Sequence, residues 1–214
     1  MRIISGQRRG HKFDGPNDDQ TRPTSDLVRE AIFNIIGEVV EDRLVIDLYA
    51  GAGGLGLEAL SRGASRAIFI ELKGENVTII RRNLVTLRFE NVGTVIKSDA
   101  HRWARAFEPE NDDPVIMFLD PPYREYENYP ERVRQTLERL IAKLPEDSML
   151  VVESRSSLDD EVLPEFDRWD VRRYGGTQVS FRIINRTGVV AESVDEVDQE
   201  VDDLHDEEDL EGNE

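Results

Sequence analysis

Asp120, Pro121, Pro122 and Tyr123 follow directly on Val115-Ile116-Met117-Phe118-Leu119, the most apolar run in the chain. Two consecutive prolines make a stiff segment lacking two backbone donors, so its carbonyls are expected to point outward as acceptors. An exocyclic amino group on a planar base offers two hydrogens, one for the Asp120 carboxylate and one for the Pro121 carbonyl. Held out of the ring plane by those acceptors, the nitrogen takes the tetrahedral form it needs to attack a methyl group. Tyr123 supplies a ring on which the base can stack. Asp120 need not be a strong base, because the amino proton becomes acidic once the nitrogen is methylated. Alignment supplies much of the rate, since well-oriented pairs gain ~7–11 kcal/mol over free encounter. The plain alternative is a strand-ending turn capped by Asp, common for Asp-Pro.

A second constellation lies upstream. Gly51-Ala52-Gly53-Gly54-Leu55-Gly56 matches the G-x-G-x-x-G spacing between an apolar run and a helical one, where glycine lets the backbone turn sharply and approach a ligand closely. Several nucleotide cofactors use such a loop, and Asp47 bears on which. A dinucleotide would bring its pyrophosphate to the helix N-terminus, where a carboxylate repels it. S-adenosylmethionine carries an ammonium and a sulfonium, which a carboxylate suits. Glu71 is placed for ribose hydroxyls in either family. For Asp99 two roles stay open: acceptor for an adenine amino group, or N-cap of a helix over His101 to Ala106.

These residues must be positioned by alternating elements. The sequence predicts a short hairpin from Arg2–Ser5 and His11–Phe13, a loop over Asp14–Thr21, and a helix starting near Thr24 or Ser25. Strands are expected at Leu44–Ile46, Ala67–Ile70, Val92–Ile96, Val115–Leu119 and Met149–Val152, with helices at Leu55–Ser61, Glu75–Leu87 and Pro130–Lys143. A closing hairpin joins Trp169–Arg173 to Gln178–Ile184 across Gly175-Gly176. Strands apolar throughout and separated by helices mean a mainly parallel sheet covered on both faces, an α/β fold. Ligands bind such sheets at the carboxyl ends of the strands. Asp47, Glu71, Asp99 and Asp120 each follow a predicted strand, so four acidic groups are expected along one edge.

The net charge of -18 argues against a nucleic-acid substrate only until its distribution is considered. Residues 191–214 hold thirteen acids and no Lys or Arg; the remainder carries 27 basic against 32 acidic residues, a net of -5. That block is expected to be a disordered tail. The first twelve residues carry Arg2, Arg8, Arg9 and Lys12 and no acid. No cysteine is present, which excludes disulfides and thiolate metal sites, and no metal is expected. No signal peptide or apolar run of ~20 residues is visible, so the chain reads as soluble and cytoplasmic, without a membrane partner.

With these residues in hand, the chain resembles the RsmD family of bacterial 16S ribosomal RNA guanine-N2 methyltransferases. The resemblance covers about residues 1–185 and rests on Arg2-Ile3-Ile4-Ser5-Gly6 with Arg9-Gly10, Thr21-Arg22-Pro23-Thr24, Arg29-Glu30, Phe33-Asn34 and Asp47-Leu48-Tyr49-Ala50-Gly51. It continues through Gly56-Leu57-Glu58-Ala59-Leu60-Ser61-Arg62-Gly63-Ala64, Asn83-Leu84 and Asp120-Pro121-Pro122-Tyr123. It implies a Rossmann-like class I methyltransferase with a mainly parallel seven-stranded sheet whose last strand is antiparallel. The corresponding division is a basic hairpin arm over 1–23, the methyltransferase domain over 24–187 and the tail over 188–214. Asp47, Tyr49, Gly51, Gly53, Glu71 and Asp99 would hold S-adenosylmethionine, and Asp120 to Tyr123 the guanine. Arg8, Arg9, Lys12 and Arg22 would meet phosphates of 16S RNA within the small ribosomal subunit, the enzyme acting as a monomer. Tyr49 and Ala52 replace the more usual Phe and Ser, and the acidic tail lies outside the family pattern. An adenine-N6 methyltransferase of DNA or RNA, a nicotinamide oxidoreductase and a non-catalytic ribosome-assembly factor are the rival readings.

Overall fold

In the computed structural model, residues 1–16 and 24–185 are described. Arg22 and the expected tail over 188–214 lie outside them. The elements run α1 (Asp26–Ile36), β1 (Leu44–Leu48), α2 (Gly54–Ser61), β2 (Arg66–Glu71), α3 (Gly74–Leu87), β3 (Gly93–Lys97) and α4 (Ala100–Ala106). They continue β4 (Val115–Leu119), α5 (Tyr123–Asn128), α6 (Pro130–Lys143), β5 (Met149–Arg155), β6 (Asp170–Tyr174) and β7 (Thr177–Ile183). Seven strands form one sheet in the order β3-β2-β1-β4-β5-β7-β6. β1 to β5 are parallel, and β7 enters antiparallel between β5 and β6.

All five residues of β4 are buried because helices cover both faces of the sheet. Ile116 and Phe118 pack on one side with Val45, Phe69 and residues of α1 to α3. Val115, Met117 and Leu119 pack on the other with Ile46, Leu48 and residues of α4 and α6. Of the two residues predicted to cap α1, Ser25 does so, accepting the Val28 amide. Thr24 has another task, described below. The N-terminal pairing is slighter than a hairpin of strands: a single bridge joins Arg2 to Lys12, supported by Ile3 N–H to His11 O and Gly10 N–H to Ile3 O. Among the described residues, no helix is long and apolar enough to cross a membrane.

The N-terminal segment is held by charge buried in the helix layer. Glu58 of α2 is fully buried and accepts the amides of Ile4 (2.8 Å) and Ser5 (3.0 Å) and Nε of Arg62 (2.9 Å). Fully buried Arg29 of α1 lies 3.8 Å from Glu58 and donates to Arg2 O and Asp26. Gly6 (φ +79°) lies so close to α2 that a Cβ would fall 1.9 Å from Ser61 O. Replacing Glu58 by Ala leaves the Ile4 and Ser5 amides without their acceptor and buried Arg29 with Asp26 as its one carboxylate partner. The expected loss is ~3–5 kcal/mol by urea unfolding. Arg2→Ala, which breaks only the exposed Arg2–Asp26 pair, should cost under about 1 kcal/mol.

Candidate active site

The chain winds outward through β1, β2 and β3, then crosses back to lay β4 beside β1. A crevice opens where the direction reverses, at the carboxyl ends of the strands. It holds a cavity of about 480 Å³ with Asp47, Glu71, Asp99 and Asp120 in its wall. The four strand-end acids of the sequence are thus brought to one site.

After β1 the backbone enters the left-handed region at Tyr49 (φ 62°), Gly51 (57°) and Gly53 (87°) before α2 begins. Carboxylates take one amide of this loop and one in the first turn of α2. Gly51 N–H donates to Glu71 (2.8 Å) and Gly56 N–H to Asp47 (2.9 Å). The second Glu71 oxygen accepts Lys73 N–H at 2.7 Å. Gly53 is not in the cavity wall; it caps α2 and faces Phe69, Leu57 and Ile80. Gly56 permits the close packing of α2 on β2, since a Cβ would meet the Phe69 ring at 2.3 Å. Burial, assisted by the Glu71 charge and opposed by the Gly56 amide, pushes the Asp47 carboxyl up to about 7.

Asp99 does cap α4, accepting Arg102 N–H at 2.8 Å, and it also pairs with Arg132 at 3.1 Å while facing the cavity. Behind it lies buried His101, which the sequence reading left unassigned. The Thr136 hydroxyl donates to Arg132 O, so His101 Nδ1–H must donate to Thr136 Oγ1 (2.7 Å). Neutral His101 therefore accepts the Tyr49 hydroxyl at Nε2 (2.9 Å), with Glu125 3.2 Å away. Burial lowers the His101 pKa against the opposing pull of Glu125. Burial and the charges of Glu125 and Asp99 raise that of Tyr49, keeping its hydroxyl a donor. Tyr49 is thus tied from the glycine loop into α4, α5 and α6.

Asp120 directly follows β4, and Pro121, Pro122 and Tyr123 continue the cavity wall. The expectation that both proline carbonyls stay outward changes at Pro122, whose oxygen accepts Glu125 N–H (2.8 Å) as the chain turns into α5. Two residues that sequence reasoning missed complete the centre. Glu153, 7% exposed on β5, shares the Thr24 hydroxyl with Asp120, at 2.9 Å and 3.2 Å respectively. Burial first, then the Glu153 charge, raise the Asp120 pKa well above the carboxylate range. Arg155 covers one face of the Tyr123 ring, 4.5 Å from its centroid, and pairs with Glu127 at 3.3 Å. One Tyr123 face is thereby taken. Among the basic residues expected to meet RNA, Arg9 and Lys12 are exposed. Arg8 is tied down, donating to Leu87 O (2.7 Å) and lying over Phe89.

The family described as Conserved hypothetical protein 95 matches residues 1–183. Ribosomal RNA small subunit methyltransferase D of Escherichia coli is 36% identical over 191 residues, 87% of this chain and 90% of that protein. The chain belongs to this family. Within the RsmD family so reached, a putative ribosomal RNA methyltransferase of Bacillus subtilis, YlbH, is 37% identical over 150 residues, 70% of this chain and 77% of its own. The solved structure of the putative methyltransferase yhhF from Escherichia coli superposes with a TM-score of 0.65 at 32% identity, covering 85% of this chain and 96% of that one. The RsmD membership agrees with the seven-stranded sheet and its antiparallel β7.

The Asp47 environment makes stability depend on pH in a defined sense. An unfolded carboxyl titrates near 3.8, and the folded one near 7. Below the lower value the group is protonated in both states. As pH rises toward 7 the unfolded chain ionises first, so stability falls, and above 7 the penalty is constant. Asp47→Asn removes this contribution. Relative to the parent, the variant should gain stability steadily from pH 4 to pH 7 in urea unfolding, with no further gain beyond; a pH-independent difference contradicts the assignment.

Proposed function

We propose that this chain transfers a methyl group from S-adenosylmethionine to the exocyclic N2 amino group of a guanine in 16S RNA of the small ribosomal subunit. One observation carries the choice of cofactor: the amides of Gly51 and Gly56 are given to Glu71 and Asp47. A pyrophosphate would need such amides and would meet two carboxylates instead. A nucleoside bearing cations in place of phosphates suits that wall, with Asp47 beside the cations, Glu71 beside the ribose and Asp99 toward the adenine. S-adenosylmethionine supplies an electrophilic methyl group on a sulfonium. The relatives named as ribosomal RNA methyltransferases support the substrate class.

The rest of the reaction falls to the chain's own residues. Asp120 and the Pro121 carbonyl accept the two amino hydrogens, and the free face of Tyr123 receives the base. The stiffness of the two prolines keeps both acceptors fixed, so little reorganisation accompanies the reaction. Once the nitrogen carries its new methyl group, it loses a proton to the Asp120 carboxylate. Arg155 and Arg124, both in the cavity wall, put positive charge where RNA phosphates approach, with Arg9 and Lys12 beyond. The protein acts as a monomer and without a metal.

The test is transfer of labelled methyl from S-adenosylmethionine to small subunits lacking the modification, with duplex DNA alongside and the label located by nuclease digestion. N2-methylguanosine in the 16S RNA is expected, falling at least about a hundredfold with Asp120→Ala. Label in adenine would replace the guanine reading by the N6 one. No label with S-adenosylhomocysteine still bound would favour an assembly factor.

A further inference from the structure

We infer that Glu153 selects guanine, by accepting the ring N1–H next to the amino group that Asp120 grips. The inference rests on the methylation reading above and goes beyond it by assigning the base preference to a particular side chain.

The strand register puts the two carboxylates side by side. β4 and β5 pair in parallel with Leu119 opposite Val152, so Asp120 and Glu153 each follow one residue later. Both reach the same Thr24 hydroxyl and both stand in the wall of the same cavity. The Tyr126 hydroxyl, buried behind them, donates to the Glu153 backbone carbonyl at 2.8 Å and fixes the strand end. Thr24 stands between the two side chains, and burial together with the Glu153 charge favours the protonated form of Asp120. When both are ionised they present a base with a pair of acceptors, so a base that holds them ionised must bring two donors.

Only some bases match such a pair. On the Watson–Crick edge of guanine the N2 amino group and N1–H are neighbouring donors. Adenine sets its amino group beside N1 and cytosine beside N3, and both ring nitrogens are acceptors. Asp120 alone would grip any of these amino groups. A second carboxylate adds a charge-assisted hydrogen bond for guanine and confronts the others with lone pair against lone pair. Sites built to pair a substrate N–H reject analogues lacking it far more strongly than apolar pockets reject a missing methylene.

2-Aminopurine isolates the point, because it keeps the 2-amino group but has an acceptor at N1. Small subunits reconstituted with 16S RNA ligated to carry guanine or 2-aminopurine at the nucleotide labelled above provide the two substrates. Single-turnover rates, and filter-binding affinities with S-adenosylhomocysteine present, are measured for the parent and Glu153→Gln. The parent should favour guanine by about a hundredfold or more. In Glu153→Gln, whose amide donates to an acceptor N1 and still receives the Thr24 hydroxyl, the preference should fall below about tenfold. Loss of 2-aminopurine's 6-oxygen affects both proteins alike and cancels in the comparison. A parent that treats the two bases equally overturns the inference whether or not the variant folds. So does a folded variant that is slower on both with its preference intact, which would make Glu153 structural. No methyl on guanine from the parent, with S-adenosylhomocysteine bound, overturns the methylation reading and this inference with it.

Discussion

The Asp47 carboxylate accepts the Gly56 amide at 2.9 Å from a position almost wholly buried. That contact joins the end of β1 to the first turn of α2, and much else depends on it. It fixes the path of the glycine loop, which sets Tyr49 against His101 and Gly51 against Glu71. It also sets the angle at which α2 leaves the sheet, and α2 carries Glu58, on which the N-terminal segment is seated. The position is an uncomfortable one for a carboxylate, since burial favours its protonated form. A site that keeps such a group suits a ligand bringing positive charge.

Acceptors predominate around the whole cavity. A parallel sheet sends every strand out at one edge, so acids placed after successive strands must gather there. Glu71 takes two backbone amides, Asp99 a helix amide and Arg132, while Asp120 and Glu153 share one hydroxyl. The ligands proposed for the site are rich in donors and cations: an ammonium, ribose hydroxyls, an adenine amino group and the N–H edge of a guanine. The proposed placement, with the cofactor on the β1–β3 side and the base toward β4 and β5, rests on this one complementarity in both halves of the cavity.

Much of this was readable before the fold. Apolar runs closing on Asp47, Glu71 and Asp120 announced both the parallel sheet and its functional edge, and the β4 bounds matched because all five residues are apolar. Glu153 follows the same rule, an acid directly after Met149–Val152. It escaped notice because β5 continues to Arg155 instead of ending in a glycine or proline that would mark the site. Thr24 looked like a helix cap because Ser and Thr are favoured there; its partners lie 96 and 129 residues away, a distance no local pattern reports. Arg8 was expected at RNA phosphate from the family resemblance, and its bond to Leu87 O and its place over Phe89 are contacts that only the fold reveals. The helix after the prolines went unforeseen too; it begins directly after Pro122.

The central claim is that cationic groups of the cofactor relieve the buried Asp47 carboxyl, and proton linkage tests it most directly. S-adenosylhomocysteine, which retains the ammonium, is titrated calorimetrically at pH 7 in buffers of differing ionisation enthalpy. With the free carboxyl titrating at about 7, binding should release about half a proton per site. The release should vanish by pH 9 and be absent in Asp47→Asn. Binding with no proton release at pH 7, or the same release from Asp47→Asn, would contradict the account.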